Sequence, residues 1–261
     1  MNGMNGMNGM NEHLVILTGA SRGLGRAMAA QLLLRPGTTL LCIARRPDDT
    51  LQDEPRAEGS TLVQWALDLS DATAAATRLA DWLGSQQGGR FTSVALINNA
   101  AALAQPGALD DTPLAELATA MRVGLEAPLL LSAAFLKHTA AWPGERRLLN
   151  ISSGLGRRAM AGSAAYCAAK AGMDHLSRAL ALEQAALPNG ARVVSLAPGV
   201  IDTDMQVQLR GADRGRFPEG VRFEQLKKQN QLDSPAGAAA KVLAYLRRAD
   251  FGSEPVADVR G

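Results

Sequence analysis

Leu14-Val15-Ile16-Leu17-Thr18-Gly19-Ala20-Ser21-Arg22-Gly23-Leu24-Gly25 passes from an unbroken apolar run through a glycine-rich turn into a helix-forming segment. A short continuous apolar run suits a strand buried on both faces, as in a parallel sheet. Glycines let the backbone turn sharply and approach a pyrophosphate with no Cβ between. The helix that follows presents unpaired N–H groups and a positive dipole. A glycine-rich turn means little alone, since a tight turn needs no ligand. Its position between strand and helix makes Gly19, Ser21, Arg22, Gly23, Leu24 and Gly25 candidates for holding a dinucleotide.

The rest of the chain repeats this alternation. Apolar runs at 39–44, 61–67, 93–97, 147–151 and 192–196 predict strands, and 255–259 a last short one. Residues 24–34, 71–83, 113–137, 163–187 and 235–248 predict helices, with one or two in the third stretch. Together they predict an α/β fold: a doubly wound parallel sheet in a single domain, with ligands at the carboxyl ends of the strands. Residues 204–233 are polar, charged and irregular, and are expected to form a lid over the substrate. Residues 1–12, reading Met-Asn-Gly three times over, are expected to be a disordered extension ahead of a folded domain at 13–261.

A chain of 261 residues can bury a core of ordinary size. Its 27 basic and 25 acidic residues leave a formal charge of +2, so no electrostatic case exists for nucleic acid as a partner. No segment of membrane-spanning length is read and the N-terminus does not resemble a signal peptide, so no membrane is expected. Cys42 and Cys167 sit in apolar stretches as small buried hydrophobes and favour a reducing, cytoplasmic setting. His13, His138 and His175 have no companions at ligand spacing, so no metal is expected.

Two places bear on the cofactor. Asp68-Leu69 ends the third strand, where the carboxylate can accept from an adenine amino group or cap the next helix. The second strand ends Ala44-Arg45-Arg46, with no acid where an NAD-specific site would hold both ribose hydroxyls. Arg45, Arg46 and Arg22 can instead fork onto a 2′-phosphate. A charged hydrogen bond of ~1.5–3 kcal/mol corresponds to roughly ten- to hundredfold preference, so NADP(H) is the expected cofactor.

Tyr166-Cys167-Ala168-Ala169-Lys170 falls in a predicted helix, where i, i+4 spacing puts phenol and ammonium on one face. A tyrosine with pKa ~10 carries protons slowly at neutral pH. An ammonium about 4 Å away, at an effective dielectric near 20, is worth roughly 4 kcal/mol, or about three pKa units of lowering. Such pairs are common on helices, and company singles this one out. Ser153 stands just past the fifth strand, where its hydroxyl can hold a carbonyl oxygen, and Asn98-Asn99-Ala100 follows the fourth.

In order and spacing, Thr18-Gly19-x-x-x-Gly23-x-Gly25, Asp68-Leu69, Asn98-Asn99-Ala100, Ser153, Tyr166-x-x-x-Lys170 and Pro198-Gly199-Val200-Ile201-Asp202-Thr203 resemble the short-chain dehydrogenase/reductase family, over about 13–259. The resemblance implies that Tyr166 passes the proton, Ser153 orients the carbonyl and Lys170 holds the ribose. It implies that Pro198, Gly199, Val200 and Thr203 fix the nicotinamide carboxamide, and that Asn99 and Ala100 lie along the cofactor. It implies a homodimer or homotetramer, through helices near 114–137 and 163–187. Ala101 departs from the family's usual glycine. Gly124 departs more seriously, from an asparagine that normally holds a water linking the lysine to solvent.

Ala165–Ala171, Ala197–Gln206 and Phe251-Gly252-Ser253 further resemble the sepiapterin reductases and related bacterial dicarbonyl (benzil-type) reductases of the family. The implied activity is NADPH-dependent reduction of a small-molecule ketone or vicinal dicarbonyl, either a pterin side chain or a benzil-like diketone. Asp258 matches the place where the pterin enzymes anchor substrate, and equally suits an ordinary strand end. The same residues permit the alcohol dehydrogenase direction. Gly124 also raises a nucleotide-sensing member without turnover, against which the intact Ser153, Tyr166 and Lys170 argue.

Overall fold

A computed structural model describes residues 12–260. The expected disorder of the N-terminal extension therefore lies outside the described residues, apart from Glu12, which already pairs with Phe91 in the sheet. Seven strands form one sheet: β1 (Glu12–Thr18), β2 (Thr38–Ala44), β3 (Thr61–Ala66), β4 (Phe91–Asn98), β5 (Glu145–Ile151), β6 (Arg192–Ala197) and β7 (Val256–Asp258). Their order is β3-β2-β1-β4-β5-β6-β7, every neighbouring pair parallel. This is the doubly wound sheet that the alternating apolar runs predict. The order reverses between β1 and β4, and the carboxyl ends at such a reversal are where doubly wound sheets take their ligands.

Helices α1 (Gly23–Leu33), α2 (Ala72–Gly84), α3 (Leu114–Met121), α4 (Ala127–His138), α5 (Ala164–Ala185) and α8 (Pro235–Leu246) cover the two faces. Alternation along β1 assigns the layers. Val15 and Leu17 bury with Met28 of α1 and Val242 of α8, whereas Leu14 and Ile16 bury with Leu79 of α2 and Leu131 of α4. A slip of one residue would exchange the two sets, so the register is strongly specified. Cys42 is buried in the first layer, and burial pushes its thiol up to about 12, leaving it inert. Cys167 is only half-buried, unlike the expectation for both.

Two stretches differ from their sequence reading. Residues Leu114–His138 run as one 25-residue helix that is long and apolar enough, by length and composition, to cross a membrane, where no such segment was expected. Its inner face is packed, with Ala127, Leu131 and Phe135 fully buried against the sheet, as in the core helix of a globular domain. The 204–233 excursion is helical rather than irregular, with α6 (Asp204–Arg210) and α7 (Gly220–Lys228). Leu209 and the fully buried Phe217 give it an apolar anchor that its charged composition conceals. Both its ends are pinned where Ile201 bridges Asp233.

Candidate active site

α1 starts at the glycine turn without a side-chain cap: Arg22 at the N-cap makes no capping hydrogen bond, and the first turn holds no acid. Its N–H groups are free to meet an anion. Gly19 has φ +69°, and a Cβ there would come within 2.8 Å of Ala100 Cα. One on Gly25 would lie 2.0 Å from the Gly19 carbonyl oxygen. Glycine alone fits either position, because the turn packs directly on Ala100 and on itself, and the uncapped helix end suits a pyrophosphate.

The ends of β1 and β4 are tied together beneath that turn. Thr18 Oγ1 accepts from the backbone N–H groups of Asn99 at 2.9 Å and Ala100 at 3.0 Å. Asn99 Nδ2 donates to the carbonyls of Thr18 at 3.0 Å and Gly19 at 3.2 Å, so this side chain is a strut under the turn rather than a free group. Thr203 Cγ2 lies 3.2 Å from where a Gly23 Cβ would be, which brings the end of the segment after β6 up to the same turn, while Gly199, further back in it, lies near Asp233 and Val259. Asn98 points into the sheet, donating to Ser132 at 3.2 Å and Asn150 at 2.9 Å. Leu24 and Leu69 are buried supports, and Ser21 is partly exposed.

Ser153 caps a short 3-10 turn after β5, its Oγ accepting from Leu155 N–H at 3.2 Å. It lies close enough to Tyr166 to stabilise the phenol's charged form. Lys170 stands one turn further along α5, with Nζ 5.7 Å from the Tyr166 ring centroid. The two side chains share a face, as their spacing requires. Lys170 is 2% exposed and donates to the Ile151 carbonyl at 2.6 Å. Burial lowers its pKa to about 8, opposed by the charge of Asp174.

The phenol departs from the expected lowering. Burial pushes Tyr166 above its ordinary value, outweighing the opposing effect of the nearby Ser153 hydroxyl. When phenol and ammonium leave water together, loss of solvation opposes the attraction between their charges.

Asp174, 2% exposed and one turn beyond Lys170, is a residue the sequence reading missed. Its Oδ1 accepts from Ser152 at 2.5 Å and Ser195 at 2.6 Å, and Oδ2 faces Arg157 Nε at 3.3 Å. Arg157 in turn donates to the Ala257 carbonyl at 2.7 Å. One buried carboxylate thereby ties α5 to the residue before Ser153, to β6 and to β7. An acid at i+4 from the lysine was the available signal.

Gly124 sits in a π-turn, Arg122–Glu126, that joins α3 to α4. A Cβ there would lie 3.0 Å from Ala169 Cβ, and Leu125 Cδ2 lies 2.8 Å from where a Gly172 Cβ would be. The missing asparagine therefore coincides with a close helix crossing beside Lys170.

The remaining candidates fall at the rim. Arg45 and Arg46 are exposed at the end of β2. Asp68 accepts from Ser70 N–H at 2.8 Å, a turn contact that, with the Arg45 charge, holds its carboxyl below the usual range; Asp71, not Asp68, caps α2. Arg22 reaches Asp204 at 3.4 Å, an exposed pair of little energetic weight. Asp258 is already engaged: Arg260 donates to both its oxygens at 2.8 and 2.7 Å, and Arg157 lies 4.0 Å away. The cavity beside Tyr166 is lined by Leu103, Gly107, Leu117 and Ala164 among others, and holds about 20 Å³.

A parallel sheet with an uncapped glycine turn and a phenol–lysine pair at the same edge defines a single-domain α/β oxidoreductase. The sequence model of the short chain dehydrogenase family matches residues 13–214. The chain is 34% identical to a benzil reductase ((S)-benzoin forming) of Bacillus cereus over 237 residues, 91% of this chain and 95% of the relative. It is 34% identical to the sepiapterin reductase of Rattus norvegicus over 250 residues, 91% of this chain and 92% of the relative. An Agrobacterium tumefaciens protein whose structure holds bound NADP is 25% identical, with TM-score 0.77, over 96% of this chain and 95% of its own. The chain belongs to the short chain dehydrogenase family, whose members act on carbonyl and hydroxyl groups with a nicotinamide cofactor.

Proposed function

We propose that the protein is an NADPH-dependent carbonyl reductase acting on an apolar ketone or vicinal dicarbonyl of the benzil type. The observation carrying this reading is the grouping of Ser153, Tyr166 and Lys170 at the carboxyl edge of the sheet, beside the uncapped end of α1. The cofactor, when bound, supplies the hydride. Gly19, Ser21, Gly23, Leu24 and Gly25 hold its pyrophosphate at the helix end, and Thr203 with the backbone of Pro198, Gly199 and Val200 meets the nicotinamide side. Ser153 holds the carbonyl oxygen by a hydrogen bond, and Tyr166 gives the proton to that oxygen as it becomes an alkoxide. A phenol kept protonated by burial is ready to donate. Lys170, charged below about pH 8, stabilises the phenolate left behind and holds the ribose.

NADP(H) is favoured over NAD(H) because β2 ends in the exposed pair Arg45 and Arg46 rather than in an acid, and Arg22, in an exposed pair with Asp204, can join them on a 2′-phosphate. A benzil-like substrate is favoured over a pterin because Asp258, the pterin anchor in related enzymes, is occupied by Arg260 and Arg157. The lining near Tyr166, rich in Leu, Ala and Gly, suits an aryl group. A cavity of about 20 Å³ admits no diketone, so the site opens on binding, and residues 204–233, whose Phe217 packs on Gly162 beside that cavity, are the segment we assign as its lid. Exposed Leu114, Leu129 and Leu182 on α3, α4 and α5 support a homodimer or homotetramer, and free cysteines a cytoplasmic setting.

The test is NADPH oxidation with benzil, wild type against Tyr166→Phe. Turnover in the wild type and its loss in the variant are expected. Cofactor binding without turnover in either protein, across a panel of diketones, would favour a nucleotide sensor instead.

A further inference from the structure

The opposite edge of the sheet carries a second and larger cleft, of about 270 Å³. It lies between the amino ends of β1, β4 and β5 and the carboxyl ends of α1 and α8. β1, seven residues long, separates this edge from the glycine turn by roughly 20 Å. The interior of the cleft is aliphatic, from Val15, Leu32, Val94 and Leu243, and its rim carries three cations, Arg35, Arg147 and Arg247, against one acid, Glu145.

The three guanidiniums are not equivalent. Arg147 is satisfied by Glu145 at 2.7 Å and by the Leu246 carbonyl. Arg35 is half-buried, and the close group it meets is the ring of His13, Nε2 to Nη2 at 2.7 Å. A guanidinium has no lone pair to give, so Nε2 accepts, and the ring proton sits on Nδ1, donating to Ser93 Oγ at 2.8 Å. The ring is therefore neutral, consistent with burial and the Arg35 charge lowering His13 to about 4. Burial lowers Arg35 as well, and the charges of Arg247 and Arg147 lower it further, with no carboxylate acting in the other direction. A partly desolvated cation flanked by like charges and a neutral acceptor is a site short of one negative charge.

We propose that this cleft binds a small organic carboxylate with an aliphatic body, its carboxylate forking onto Arg35 beside Arg247 and its chain lying on Val15, Leu32 and Leu243. Planar guanidinium matches carboxylate in two parallel hydrogen bonds. The aliphatic interior adds affinity that an inorganic anion cannot gain. The site is separate from the chemistry at the other edge and does not depend on the substrate assigned there.

The experiment is a calorimetric titration of the full-length protein with hexanoate in chloride buffer at fixed ionic strength. The imidazole resonances are followed in parallel. Saturable one-site binding is expected, moving the His13 signals and leaving those of His138 and His175 in place. Affinity should fall about tenfold or more in Arg35→Gln and several-fold in Arg247→Gln, whose exposed side chain leaves folding intact. Binding should persist in Tyr166→Phe, which excludes capture at the active site. Absence of saturation, or wild-type affinity in both arginine variants, overturns the proposal. Equal affinity for inorganic phosphate overturns the aliphatic part of it.

Discussion

The two edges of the sheet solve opposite problems. At the carboxyl edge the strand ends are tied by shared polar groups: Thr18 carries two backbone N–H groups, Asn99 spans two carbonyls, and Asp174 gathers two hydroxyls and faces a guanidinium. The cavity there is about 20 Å³. At the amino edge a cleft of about 270 Å³ is rimmed by cations, and Arg35 leans on a neutral ring. A catalytic edge needs fixed geometry, which small closed spaces and satisfied hydrogen bonds supply. The other edge has the signature of incomplete charge balance, which a ligand can supply from outside. Mutations at the first edge should change chemistry and those at the second should leave it alone.

The largest effect falls on the phenol. Tyr166→Phe keeps the ring packing and removes the proton, so kcat with benzil should drop about 10²–10⁴-fold with little change in cofactor affinity, read from NADPH consumption. Full activity in that variant would remove the distinction between the edges. Next comes cofactor choice. Arg45→Ala with Arg46→Ala should cut the preference for NADPH over NADH by roughly ten- to hundredfold, measured as the ratio of kcat/KM values. Unchanged preference would mean that these exposed arginines only face solvent.

A smaller effect concerns Lys170. It loses its proton as pH rises through about 8, so kcat/KM should decline above that pH. Asp174 raises the lysine, so Asp174→Asn should move this decline to lower pH, whereas Ser195→Ala removes one hydrogen bond to Asp174 and keeps the charge. An equal loss of activity at every pH would make Asp174 structural only.

What the sequence disclosed follows the same division. The carboxyl edge was legible because its chemistry is local: a glycine turn between strand and helix, and a phenol four residues before a lysine. The sheet was legible from continuous apolar runs. The direction of the Tyr166 shift was not, because distance alone suggests attraction while desolvation depends on what buries both groups. Asp174 was missed because its partners, Ser152, Ser195 and Arg157, come from three other segments. The amino edge was illegible for the same reason. Arg35, Arg147 and Arg247 are unremarkable in sequence and meet only when three strand ends and two helix ends converge. Helices α6 and α7 were hidden because few apolar residues, Leu209 and Phe217 among them, anchor a charged stretch.

Gly124 tests how tightly the catalytic edge is packed. Gly124→Asn restores the family's usual residue, yet its Cβ must find room 3.0 Å from Ala169 Cβ. Overpacking of this kind costs about 1–3 kcal/mol, visible as a lower urea midpoint, and Ala169→Gly in the same chain should recover part of it. No loss of stability would mean that the π-turn yields, and the edge is less rigid than its hydrogen bonds imply.

The smallest effect belongs to the amino edge and concerns stability alone. Burial, and then the Arg35 charge, lower His13 from its ordinary 6.5 to about 4 in the folded protein. Between those values the unfolded chain binds the proton and the folded one does not, so folding stability rises with pH across this window. The contribution is complete above about 6.5 and is lost as pH falls toward about 4, because a charged ring would face Arg35. His13→Gln should flatten this part of the curve, measured as the difference in urea midpoints between pH 7 and pH 5, with kcat at pH 7 unchanged. Arg35→Gln removes the neighbouring charge, so the His13 pKa should rise and the window narrow from its acid side. A steep slope retained in both variants would assign that pH sensitivity to other groups and leave His13 as a solvated surface ring.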